Sequence, residues 1–365
     1  MNTFGYEAGE VAHRNPPFNK DVSDLGVANV VKRAVMTMKM LQSVCRQPPI
    51  LTPPLSEQHS LITEEQAALP KGDSIGHYLV RLGDRAHIAG RFGKALLSYK
   101  RALRIFERQH KDEPALAVIC LNKIAQVCRE QGLYNEAEFS ALKALSIVRD
   151  FLDDRSELGI VALNNLGAVY QAQVKYQKAE NAYVRALGRV GARCETPDAQ
   201  TGRTMNNLGV VLSQLGRECE AIDMFAGALA IFEQLFDGLH PDIGITLSNL
   251  AALYRKVGHL EVAETLYVRA NDNFVAVLGT GHPHSGMNFA ALAGVYREQG
   301  RFDESEALFK FAVQVLEETL GNGHSRVKTV MRGLAELYSR MGRAKDAFRI
   351  EAEAFETAPG MATPQ

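Results

Sequence analysis

Apolar residues recur through most of this chain at three-to-four spacing, in stretches broken by short turns. One stretch reads Phe92, Ala95, Leu96, Tyr99, Ala102, Leu103 and Phe106, the stripe of a helix with one buried face. The stretches themselves repeat. LNNLGAVY at 163–170 returns forty-two residues later as MNNLGVVL at 205–212, and again as LSNLAALY at 247–254. Turn positions fall at Gly90, Gly132, Val174, Gly216, Gly258, Gly300 and Gly342, always 42 residues apart, without an insertion or deletion. A fixed period of this length is the mark of a repeat array.

Side-chain size follows the same register. Seven residues before each turn stand Gly83, Ala125, Gly167, Gly209, Ala251, Ala293 and Ala335. Five after it stand Ala95, Ala137, Ala179, Ala221, Ala263, Ser305 and Ala347, and twelve after it Ala102, Ala144, Ala186, Ala228, Ala270, Ala312 and Ala354. Small residues let two helices approach closely. Leu82, Ile124, Leu166, Leu208, Leu250, Leu292 and Leu334, eight before the turn, fill the space between them. Each unit therefore reads as a helix A, a tight turn and a helix B. Glycine suits that turn because it accepts backbone angles a β-branched residue resists, so the turn at Val174 is expected to differ in shape. Pro114, Pro197, Pro241 and Pro283 stand where helix A begins, the helical position most tolerant of proline.

The first seventy-odd residues follow another pattern. Residues 24–45 are expected to be helical, with Val27, Val31, Ala34, Met38, Leu41 and Cys45 on one stripe. Pro48, Pro49, Pro53, Pro54 and Pro70 then mark a linker. The domain reading is an extension over 1–74, an array over 75–359 and a tail over 360–365. Between residues 25 and 56 there is no Asp or Glu, while Lys32, Arg33, Lys39 and Arg46 are present. Such a basic helix suits capping of the array, blocking of its binding surface, a partner or an anionic membrane.

Composition narrows the function classes. The 365 residues are 46% hydrophobic and 23% charged with a formal net charge of -1, which argues against bulk disorder and against general nucleic-acid binding. Five cysteines form no CxxC pair, which points to a reducing compartment rather than a disulfide or zinc framework. No apolar run reaches the roughly 18 residues of a membrane span. The first twenty residues carry Glu7 and Glu10 and lack an apolar signal core. The location expected is cytoplasmic, with a divergent organelle-targeting segment left open. No phosphate loop, HExxH or nucleophile elbow is present, so no catalytic residue, cofactor or metal is assigned. His240, His282 and His324 recur at one linker position and read as turn residues rather than metal ligands.

The columns of glycine and alanine resemble the tetratricopeptide repeat. The period of 42 exceeds that family's usual value of about 34. With linkers such as FDGLHPDIGITLSNLAALY and LGTGHPHSGMNFAALAGVY, it looks like the kinesin-light-chain subtype, without the long heptads that precede repeats in those proteins. The resemblance implies an all-α, right-handed superhelical solenoid of about seven helix pairs. It also implies a concave surface lined by positions thirteen, ten, nine, six, three and two before each turn. Those positions supply asparagines Asn122, Asn164, Asn165, Asn206, Asn207 and Asn249, which either grip an extended peptide or bridge neighbouring helices. They also supply Arg81, Lys123, Arg129, Arg203, Arg255, Lys256, Arg297, Arg332 and Arg340 against Asp84, Glu130, Glu298 and Glu336, a basic excess that favours acidic segments. Ala252, Met287, Ala290, Ala291 and Gly294 mark either an open pocket for a side chain or close helix packing. The function expected is a non-enzymatic adaptor binding extended acidic segments of protein partners. The alternative is a structural subunit of a large multiprotein complex.

Overall fold

A computed structural model describes residues 75–108, 114–153, 156–191 and 198–356. All of them lie in the second of the two units into which the chain divides, residues 53–365. The helix expected at 24–45, the proline-rich linker after it, Pro197 and the tail 360–365 lie outside the described residues. Among the described residues are fourteen helices and no strand. The A helices are α1 (Ile75–Ile88), α3 (Pro114–Glu130), α5 (Glu157–Ala172), α7 (Ala199–Gln214), α9 (Pro241–Lys256), α11 (Pro283–Glu298) and α13 (Ser325–Arg340). The B helices are α2 (Phe92–Arg108), α4 (Tyr134–Phe151), α6 (Tyr176–Gly191), α8 (Glu218–Leu235), α10 (Leu260–Leu278), α12 (Phe302–Leu320) and α14 (Ala344–Glu356).

Each turn is left-handed at the residue the period marks. The six glycines there have φ between +68° and +88°, and Val174 has φ +62°. The expected difference at Val174 is not seen. Its turn closes with the same two backbone bonds as the others, Val174 N to the carbonyl of Gln171 at 3.0 Å and Lys175 N to that of Tyr170 at 2.8 Å. Packing of α5 on α6 holds the geometry, and the β-branched residue carries the strain.

Close approach within a pair depends on size matching across the turn. A Cβ on Gly167 would sit 2.6 Å from the Tyr183 ring, and one on Gly209 would sit 2.8 Å from Phe225. Both rings are fully buried because the facing position on helix A has no side chain. The alanine columns are buried throughout, as is the leucine column with one exception. Ile124, Leu166, Leu208, Leu250, Leu292 and Leu334 are at most 7% exposed, whereas Leu82 in the first pair is 39% exposed. Each inner leucine is covered by the preceding pair, which is how a repeat array builds one continuous core.

Successive A helices from α3 to α13 pack directly against one another. Successive B helices are linked by ion pairs between long side chains, such as Lys143 to Glu107 at 2.5 Å. The closer spacing makes the A side the inner surface of the array.

Candidate functional site

Every residue singled out as a surface position sits on an A helix, and the structure brings most of them together across neighbouring repeats. The asparagines form rungs between helices. Asn165 Nδ2 donates to the carbonyl of Asn122 at 3.2 Å, and Asn249 Nδ2 donates to Asn206 Oδ1 at 3.1 Å. Asn122 Nδ2 reaches the carbonyl of Leu158 at 3.2 Å, and Asn164 Nδ2 reaches Thr204 Oγ1 at 2.8 Å. These bonds compensate asparagine for its poor helix propensity. Of the two readings of the amides, bridging within the array accounts for these rungs.

The cations are similarly engaged. Lys123 meets Asp84 at 2.6 Å, Arg255 meets Glu298 at 2.6 Å, and Arg203 meets Asp242 at 2.8 Å. Lys256 donates to the carbonyl of Ser213 at 2.7 Å and to Glu218 at 3.1 Å. Arg297 is 7% exposed, donates to the carbonyl of Gly333 at 3.1 Å and pairs with Glu336 at 2.8 Å. Burial draws its guanidinium below the ordinary arginine value, and the nearby Glu336 opposes that shift. Arg81 and Arg332 are exposed near the two ends of the row.

The stretch of small residues is filled rather than open at Gly294. The Arg255 guanidinium lies over it, with Nη1 2.7 Å and Nη2 2.9 Å from where a Cβ would stand. Ala290 is buried and Ala291 and Met287 are half-buried, while Ala252 is exposed. Close approach of the Arg255 side chain is the use this structure makes of Gly294.

The inner surface does open between α3, α5 and α7. A hollow of about 480 Å³ is lined by Arg129, Ala168, Gln171, Ala172, Tyr176, Tyr183, Asn207, Val210 and Gln214. Its A-helix residues all stand nine, six, three or two before a turn, the register read from the repeat. Arg129 and Asn207 were singled out from sequence, whereas Gln171 and Gln214 were missed because those columns were read only for charge. Tyr176 and Tyr183 reach the hollow from helix B, which no A-helix register reveals. The Tyr183 hydroxyl donates to Gln171 Oε1 at 3.3 Å. Burial raises its pKa and the nearby Arg129 opposes this, the net shift being upward, so the phenol stays protonated at neutral pH.

The linker histidines have a structural use. Nδ1 of His240, His282 and His324 each accepts the backbone N–H two residues on, at 3.2, 3.1 and 3.1 Å, capping α9, α11 and α13. Among the described residues no group of three or more His, Cys, Asp or Glu is placed to hold a metal ion. No helix among them is long and apolar enough to cross a membrane. Burial pushes the Cys120 thiol up to about 12 and the Cys128 thiol up to about 11, which suppresses thiolate chemistry at both.

The tetratricopeptide-repeat family profile matches residues 117–190, 200–273 and 287–359. The chain belongs to this family, and its helix pairs are tetratricopeptide repeats. The apo form of RapI is similar in fold, at 15% identity and a TM-score of 0.58, over 77% of this chain and 97% of that one. A signal transduction ATPase with numerous domains and a tetratricopeptide repeat sensor, from Pyrococcus horikoshii, matches at 14% identity and a TM-score of 0.58, over 77% of this chain and 42% of its own. A putative kinesin light chain from Podosopora anserina with nearly identical repeats matches at 18% identity and a TM-score of 0.47, over 55% of this chain and 94% of that one. No curated protein matches the sequence significantly.

Proposed function

We propose that this chain is a non-enzymatic adaptor that holds a protein partner by an extended, acidic segment laid along the inner surface of its A helices, in a cytoplasmic setting. Membership of a repeat family built for protein interaction supports the general role. The observation that carries the reading is the hollow between α3, α5 and α7, whose A-helix lining comes from the repeat register and includes Arg129 but no carboxylate. An extended segment suits such a surface because its backbone amides alternate donors and acceptors that side-chain amides match. Arg129, Arg81 and Arg332 would steer and orient acidic side chains along the row.

Affinity purification of the intact chain at low and high salt, with partners identified by mass spectrometry, tests the reading. The expected result is a set of substoichiometric partners lost at high salt and sharing acidic segments. One fixed, stoichiometric set that survives high salt would overturn it in favour of a permanent subunit.

A further inference from the structure

The asparagine rungs have a register, and one rung in it is missing. Asn165 reaches back to Asn122 and Asn249 reaches back to Asn206, each pair 43 residues apart. Asn207 stands in the same register to Asn164. That bond is not made. Asn164 Oδ1 is buried and accepts no hydrogen bond, although its Nδ2 is held by Thr204. Buried amide oxygens are rarely left in this state without a use. Asn207 instead lines the hollow.

We infer that the open rung makes this hollow a seat for one carboxylate side chain of a bound peptide, with Arg129 and Asn207 as its chief donors. The inference rests on the proposed peptide-binding role and narrows it to a place and a chemistry. Arg129 forms an ion pair with Glu130 at 3.7 Å, too long for a hydrogen bond. Glu130 is itself held by His87 at 2.7 Å and by Gln126 at 3.2 Å. The Arg129 guanidinium therefore has donors to offer. Gln171 accepts from Tyr183 through Oε1, which leaves Nε2 as its open end, and Gln214 stands across the hollow. One cation, three amides and no carboxylate among the lining residues complement a single negative charge. Ala168, Ala172 and Val210 leave room beneath these groups for the short arm of an aspartate or glutamate. Farther along the array, Arg255 and Arg297 hold Glu298 at 2.6 Å and Glu336 at 2.8 Å, much closer than Arg129 holds Glu130.

Selection of random dodecapeptides on the full chain tests this. The wild-type consensus should carry an Asp or Glu at one fixed place. Arg129→Gln should lose that acid while keeping the rest of the consensus. Asn207→Asp, isosteric but negatively charged, should do the same and keep the wild-type circular dichroism. A synthetic wild-type-selected peptide should bind either variant roughly ten- to a hundredfold more weakly, as loss of a charged hydrogen bond implies. Binding to Arg104→Gln, an exposed change on the B helix α2, should stay within about twofold. An acid retained by both hollow variants would overturn the seat and leave the groove reading intact. A consensus without an acid would overturn the seat and the preference for acidic segments, whereas failure to select any peptide would overturn peptide binding altogether.

Discussion

The front and back of this array solve the same joining problem with different chemistry. From α3 to α7 the A helices are tied largely by neutral amides, and one of them, Asn164, keeps a buried Oδ1 without a partner. From α9 to α13 they are tied by arginine–glutamate pairs, and each A helix there starts on a histidine cap. A neutral amide bridge is cheap to desolvate and easy to open, whereas a buried guanidinium is secure only while its partners remain. The difference separates a region able to exchange internal bonds for bonds to a ligand from one that sets the register.

The contrast can be broken most forcefully at Arg297. Replacing it by alanine should cost roughly 2–3 kcal/mol, because it empties a buried site and leaves the Gly333 carbonyl without its donor. The half-exposed Arg255 should cost under about 1 kcal/mol when replaced in the same way. Urea unfolding midpoints of the two variants decide this, and equal losses would mean that burial does not distinguish the pairs.

Acid should weaken the back of the array next, through His284. Beside the second cap, His284 is held below the ordinary histidine value by burial first, then by His282 and Arg326. Its neutral form is favoured in the folded state, so its contribution is complete above the unfolded value of 6.5 and is lost as pH falls through the lowered folded value. Hydrogen exchange at pH 7.5 and pH 5 should show faster opening of α9–α13 at the lower pH, with little change in α3–α7. His284→Gln should reduce the difference.

The smallest effect is expected in front. Val174→Gly should stabilise the chain by about 0.5–1 kcal/mol, since relief of the strained φ outweighs glycine's greater freedom when unfolded. A thermal melt detects it. A lower melting temperature would mean that the exposed valine makes contacts worth more than its strain.

Much of this fold was readable from the sequence because its packing rules are local and repeated. Ala102, Ala144 and Ala186 announce close helix contact by their spacing alone, and Gly132 announces a left-handed turn. Val174 misled because a turn's shape is set by the two helices it joins as much as by its own preference. At the site, the register put Arg129 and Asn207 on A helices, where both line one hollow. It did not show that Arg255 folds over Gly294, or that Asn165 is spent on Asn122 while Asn207 is not. Those outcomes depend on side-chain choices between neighbours, which a one-dimensional pattern leaves degenerate.

The rungs carry one further consequence, for how the chain reaches this state. No side-chain hydrogen bond described above spans more than 43 residues of sequence, since each pair speaks only to its neighbours. Loops that short close at small entropic cost, so folding can nucleate in any pair and spread in both directions as the chain leaves the ribosome.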